Sequence, residues 1–162
     1  MRLDRMTIAA LALLACTVPA TARDNMGFDV NVTLSPKAAA KLAAKKESIV
    51  ILASYYGAPK RSAEKHANEI GRIDLEQQDE QVAIPGTGGH ARISGAKVDA
   101  NRLDWLASPV SVNVNIASAR KSSSDNLLSC DFIDGPLSKV KKAPVTLHCA
   151  LIEENYDTKL KP

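Results

Sequence analysis

Aromatic side chains are scarce: two Phe, three Tyr and one Trp, or 4% of 162 residues. Extended carbohydrate grooves tend to stack sugars on aromatic platforms, so rings this few, several of them needed for a core, argue against one. An excess of one charge is missing too. The 21 Lys and Arg face 18 Asp and Glu, a formal net charge of +3, which is too small for a nucleic-acid footprint. No apolar run reaches the ~20 residues a membrane-spanning helix needs. Past the first residues the best is 49–53. Metal templates are lacking, because His66, His90 and His148 show neither H-x-x-x-H nor H-E-x-x-H spacing. What is present, 45% hydrophobic and 24% charged residues with eight Gly and eight Pro, fits one ordinary globular domain and is too little chain for two substantial cores.

The start of the chain carries an address. Arg2 and Arg5 precede the apolar run 6–15, and Ala20 and Ala22 follow in small-x-small spacing. This is the pattern of a secretory signal peptide over residues 1–22, and Pro19 ends a run too short to span a membrane. Leu13-Leu14-Ala15-Cys16 also resembles the lipobox of bacterial lipoproteins, in which the cysteine is acylated and becomes the new N-terminus. Cleavage after Ala22 is the preferred reading, because Leu14 is unusual in a lipobox and residues 18–22 obey the small-residue rule. Either route predicts export, giving a periplasmic or secreted protein or, with lipid on Cys16, one anchored to a membrane. Both leave Cys130 and Cys149, an even pair that reads as one disulfide in an exported chain.

Period-two alternation dominates the remainder. Phe28, Val30, Val32 and Leu34 alternate with polar residues, as do Val110, Val112, Val114 and Ile116. Residues 49–56 are nearly all apolar and read as a central strand buried on both faces. Weaker strands are expected at 70–76, 81–84 and 90–95. Near the C-terminus, a hairpin of residues 127–133 with 145–152 that sets Cys130 opposite Cys149 also sets Leu128 against Leu151 and Phe132 against Leu147. A one-residue slip would turn either strand over. A bond between facing sheets is the competing geometry.

Helix is limited. Ser35-Pro36 reads as an N-cap and first turn leading into residues 37–47, with Lys37, Lys41 and Lys45 on one solvated face. Asp99 is placed to cap a short helix carrying Leu103, Trp105 and Leu106. Residues 57–68 read as a long loop, residues 85–89 as a glycine-rich turn or hairpin tip, and 153–162 as a polar tail that frays. The expected architecture is all-β: a single Greek-key-like β-sandwich over residues 23–152, with one or two short helices and one disulfide. The alternative is α+β, with a strand–helix–strand unit at 28–56.

Motifs with chemistry give way to plainer readings. Ser118-Ala119-Arg120-Lys121 matches S-x-x-K and Ser124-Asp125-Asn126 matches S-D-N, both found in penicillin-binding enzymes. Here they are nearly contiguous between two strands and lack the K-T-G partner, so a polar turn explains them better. Residues 86–89 lack the G-K-[ST] of a phosphate loop. Asp74, Glu76, Asp79 and Glu80 cluster at a strand end, where exposed acids are routine. Arg120 with Lys121, and Lys139 with Lys141 and Lys142, form two basic loops read as solvent-facing, on opposite ends of one sheet.

No catalytic, cofactor or metal residue is therefore assigned. The leading expectation is a non-catalytic exported protein that binds another protein, such as an envelope component or an enzyme it inhibits. The alternatives are a small periplasmic hydrolase with a spatially assembled site using His66, His90 or His148, and a carrier of a small ligand or metal. A pocket joining a histidine to a carboxylate and a hydroxyl would favour the enzyme.

Overall fold

A computed structural model describes residues 26–162. The signal peptide, its cleavage after Ala22 and the lipidation of Cys16 concern residues outside that range. Strand β1, Phe28–Leu34, buries Phe28, Val30 and Val32 and turns Asp29, Asn31 and Thr33 outward, as its alternation requires. Helix α1, Pro36–Lys45, starts where Ser35 Oγ accepts the Ala38 amide at 3.0 Å and ends at Lys46, which has a φ of 50°. It buries Ala38 and Leu42 and leaves Lys37, Lys41 and Lys45 exposed.

Further strands follow as β2, Ile49–Gly57; β3, Ile73–Asp74; β4, Glu80–Ile84; and β5, Gly89–Ile93. After the short helix α2, Ala100–Leu103, come β6, Ser111–Ser118; β7, Leu128–Cys130; and β8, Phe132–Pro136. Helix α3, Leu137–Val140, precedes β9, Val145–Leu151, and β10, Leu160–Lys161. One sheet has the order β5-β1-β9-β7; the other has β10-β8-β6-β2-β3, with β4 also paired to β2. β1–β9 and β8–β10 are parallel and the other pairs antiparallel. Phe28, Val30, Ile93 and Leu147 from the first sheet join Ile51, Tyr55, Val114 and Ile133 from the second in one buried cluster. Phe28 meets Tyr55 edge-on at 6.3 Å between ring centres. Each fully buried side chain of this size contributes roughly 1.5–3 kcal/mol.

The fold is all-β with one disulfide, Cys130–Cys149. The strand–helix–strand unit exists, but β1 and β2 lie in different sheets, so α1 bridges the layers and is no crossover within one. β2 is central, yet only one face is fully buried. Val50, Leu52, Ser54 and Tyr56 are half-buried because flanking side chains alone shade them, as the Arg72 guanidinium does at 4.2 Å from the Tyr56 ring.

The expected pairing of Leu128 with Leu151 and Cys130 with Cys149 is present, and the disulfide joins neighbouring strands of one sheet. Phe132 is different: it lies opposite Leu160, not Leu147. The break falls at Asp131, whose amide donates to His148 O at 2.8 Å before the chain passes to the other sheet. The residue is 1% exposed and its carboxylate collects donors from the tail: Tyr156 Oη and Lys159 N, both at 2.9 Å, with Lys161 Nζ at 3.4 Å. These contacts explain why residues 153–162 are not frayed and why β10 pairs with β8. The loop at 57–68 is also more ordered than its polarity suggests, with a 3₁₀ turn at Arg61–His66. The basic segment before β9 contains α3, anchored by buried Leu137 and Val140.

Candidate functional site

The most distinctive geometry lies along the outer edge of β2. β4 pairs with residues 49–53 of β2 and β3 with Tyr56 and Gly57, so residues 75–79 leave the ladder between them. Leu75 N still donates to Tyr55 O at 2.8 Å. The Tyr55 amide has no strand partner, and Glu76 Oε1 accepts it at 2.6 Å. A side chain thus fills a place that a backbone carbonyl would otherwise take.

Residues 94–102 hold this bulge from the other side. Asp99 N donates to Leu75 O at 2.7 Å, Arg102 Nη1 to Asp74 O at 2.8 Å, and Lys97 Nζ to Asp79 O at 2.9 Å. Glu80 is saturated by Ser94 N and Oγ, each at 2.7 Å, and by Gly95 N at 2.8 Å. Between the two segments opens a groove of about 410 Å³, lined by Glu76, Gln77, Gln78, Lys97 and Asp99.

Glu76 is 7% exposed, and its Oε2 has no hydrogen-bond partner among the described residues. Burial pushes its carboxyl up to about 7. The Tyr55 amide opposes that rise, Asp79 and Asp74 add to it, and Arg102 opposes it. The other buried acids behave differently. Glu47 is also buried, but amides of Ser122, Ser48 and Lys121 and the Ser122 hydroxyl outweigh desolvation and hold it down at about 2. Asp131 is lowered from its ordinary value: burial works against this, and Lys159 N, Tyr156 Oη, His148 N and Lys161 prevail. Both have their oxygens occupied, which marks them as internal struts. Glu76 lines the groove, but its second oxygen is buried and has no partner among the described residues, which favours the protonated form.

The residues singled out by sequence stand elsewhere. His66 stacks on Trp105 at 4.2 Å with an interplanar angle of 9°. His90 Nε2 lies 3.0 Å from Asp29 Oδ1, beside Arg92, and His148 Nδ1 lies 3.0 Å from Thr33 Oγ1. Each histidine has its own neighbour, and none of the three lines the groove. Among the described residues no group of three or more His, Cys, Asp or Glu could hold a metal ion. Ser118 ends β6 and is 1% exposed; its hydroxyl accepts the Leu127 amide at 2.9 Å and faces Asn126 Oδ1 at 3.3 Å. That serine closes a loop, in keeping with the polar-turn reading, while Lys121 and Ser124 are exposed.

The acidic cluster is where the sequence reading is corrected. Asp74 and Asp79 are exposed, but Glu76 and Glu80 are buried, because Glu76 takes the Tyr55 amide at the bulge and Glu80 takes the amides of Ser94 and Gly95 after β5. The only hint in the sequence is that polar residues 77–79 interrupt two stretches that both pair with β2. Compared with protein-family models, curated proteins and solved structures, the chain matches none.

Proposed function

We propose that this protein is exported and acts without catalysis by binding another protein, with the groove beside Glu76 as its point of contact. One observation carries the reading: an open groove of about 410 Å³ that presents exposed Gln77, Gln78 and Lys97 beside the bulge that Glu76 closes. Export is supported by the basic start, the apolar run 6–15 and the Ala20/Ala22 pattern, together with the Cys130–Cys149 bond. Release after Ala22 gives a periplasmic or secreted protein. Acylation of Cys16 instead places the same domain on a membrane surface.

The test is a photo-crosslinking amino acid in place of Gln78, on the groove, and of exposed Ala143, outside it, in protein made in its own cells. The expected result is a defined protein adduct from position 78 only, lost on adding Glu76→Gln. No adduct at 78, or the same adduct from 143, overturns the reading. A small substrate turned over by the parent and not by Glu76→Gln would replace binding by catalysis. Mass spectrometry of the same preparation reads the N-terminus, Arg23 or lipidated Cys16.

A further inference from the structure

At the end of β2 away from the groove, we infer that helix α1 and the loop after β6 rest against a bilayer surface rich in anionic phospholipid. Glu76 meets β2 at Tyr55, whereas α1 leads into its first residue, Ile49, which pairs with Ser118 at the start of that loop. The two surfaces are separate, so either can fail alone.

Six cations are exposed here: Lys37, Lys41, Lys45 and Lys46 on α1 and its cap, and Arg120 and Lys121 on the loop. Buried Glu47 ties the two segments together. Its Oε1 accepts Ser48 N at 3.0 Å, and its Oε2 accepts Ser122 N and Oγ at 2.8 Å. Among the described residues none of the six cations is in an ion pair. Glu154 feels the charge of Lys37, but its carboxylate is taken by Ser35 Oγ at 2.6 Å and Leu151 N at 2.8 Å. At the margin Glu153 shares a groove with Lys41, and Asp125 follows on the loop, so the face stays positive. α1 itself carries no acid. Lys37, Lys41 and Lys45 repeat at i,i+4, where like charges destabilise a helix, and Lys37 in the first turn opposes the helix dipole. Solubility is served better by interspersed signs. A helix that breaks these local rules keeps its charge for something outside the molecule.

The composition selects lipid over protein. Protein interfaces are depleted in Lys and Ala and take their energy from Trp, Tyr and Arg anchors. Between its lysines α1 exposes Ala40, Ala43 and Ala44, and no aromatic residue lies on the helix or on residues 119–122. Side chains this small let the lysines reach a flat surface. An apolar side chain stands beside them: Ile152 is 53% exposed and shares a groove with Lys41, Leu127 and Leu151. Cations around a protruding aliphatic chain suit the headgroup boundary, where charge attracts and hydrocarbon inserts. A soluble polyanion would use the cations and leave Ile152 in water.

The experiment compares binding of the protein to vesicles of phosphatidylcholine and to vesicles of an equal mixture with phosphatidylglycerol. The expected result is binding to the mixed vesicles, weakened by added salt, and little to phosphatidylcholine alone. Each cation near an anionic surface is worth roughly fivefold in affinity, so Lys41→Gln with Lys45→Gln should weaken binding about 25-fold. Lys139→Gln with Lys142→Gln removes the same charge from the exposed segment before β9 and should change little. Ile152→Ser should weaken vesicle binding several-fold and leave binding of inorganic polyphosphate unchanged. In bicelles of the same lipids carrying a nitroxide-labelled phosphatidylglycerol, amide signals of residues 37–46 and 119–122 should broaden before those of Gln77, Gln78 and Lys97. That readout decides even where a lipid chain on Cys16 anchors the protein to every vesicle. Equal losses from the two lysine pairs, or broadening that spares α1, overturns the inference. Polyphosphate bound as tightly as the mixed vesicles, with Ile152→Ser silent toward both, would replace the bilayer by a soluble polyanion. No vesicle binding, with a protein adduct from a photo-crosslinker at Ala40, would give the face to a protein instead.

Discussion

Glu76 Oε1 accepts the amide proton of Tyr55 at 2.6 Å, so that a side chain bridges the gap on β2 between β3 and β4. The bond fixes the residue while its second oxygen stays unpaired. The folded protein accordingly binds a proton at Glu76 more readily than the unfolded chain, at about 7 against 4.5. Such a raised value gives stability that is complete below about 4.5 and is lost as pH rises through about 7. Glu47 has the opposite sign: lowered from 4.5 to about 2, it adds stability above 4.5 that disappears as pH falls toward 2. The windows barely overlap, so the range from pH 5 to 8 isolates Glu76. Urea midpoints of the parent should decline over that range, and those of Glu76→Gln should decline less, with the variant gaining on the parent at pH 8. Parallel profiles would show that Glu76 is not a buried neutral acid.

The disulfide gives a second prediction. Cys130 lies directly opposite Cys149, and the bond spans a sequence separation of 19 while the intervening chain visits the other sheet through β8. In the chain-entropy picture an interval of this size contributes ~3 kcal/mol, by narrowing the unfolded ensemble. Cys130→Ser should lose about that amount in oxidising buffer, and reduction of the parent should bring it to the level of the variant. Equal stability of the two proteins before reduction would remove the claim.

What was legible in the sequence was local chemistry. The alternation from Phe28 to Leu34, the Ser35 cap and the Asp99 cap each depend on neighbours a few residues away, and all three are present. The pairing of Leu128 and Cys130 with Leu151 and Cys149 was legible as well, because one register satisfied two constraints. The switch of sheets at Asp131 was hidden. Leu128, Cys130 and Phe132 keep their alternation straight through it, and the partners that settle the matter, Tyr156 and Lys159, lie far along the chain. Glu76 was hidden for a similar reason. In sequence it is one acid among four, and only the paths of β3 and β4 along β2 set it apart.

Asp131 should therefore be the residue that holds the tail. Its carboxylate accepts from Tyr156 Oη and Lys159 N at 2.9 Å and from His148 N at 3.2 Å. Asp131→Asn keeps the shape and removes the charge, so at least one donor is left facing an amide NH₂. The expected cost is ~1–3 kcal/mol. Trypsin should then cut after Lys159 faster than in the parent, and amide exchange should rise at Lys159 and Lys161 before it rises in β9. Unchanged cleavage at Lys159 would mean that β10 is held by its ladder alone.

Gly86 offers a test of packing that is independent of charge. A Cβ built there would lie 2.1 Å from the carbonyl oxygen of Glu47 and 3.3 Å from Leu42 Cβ. Backbone cannot yield as a flexible side chain does, so Gly86→Ala must push the turn away from the end of α1. Overpacking of this kind costs about 1–3 kcal/mol or more. Glu47 also accepts from Ser122 N and Oγ at 2.8 Å, so the displacement should reach the loop after β6 and speed amide exchange at Ser122. Gly71 is the control. It has a φ of 79° but nothing within 4 Å of the added Cβ, so Gly71→Ala incurs only the left-handed backbone penalty, ~1–2 kcal/mol, without disturbing Ser122. Thermal unfolding and hydrogen exchange of the two variants would decide. Faster exchange at Ser122 in Gly86→Ala alone supports the contact between turn and helix end, and equal behaviour of both variants refutes it.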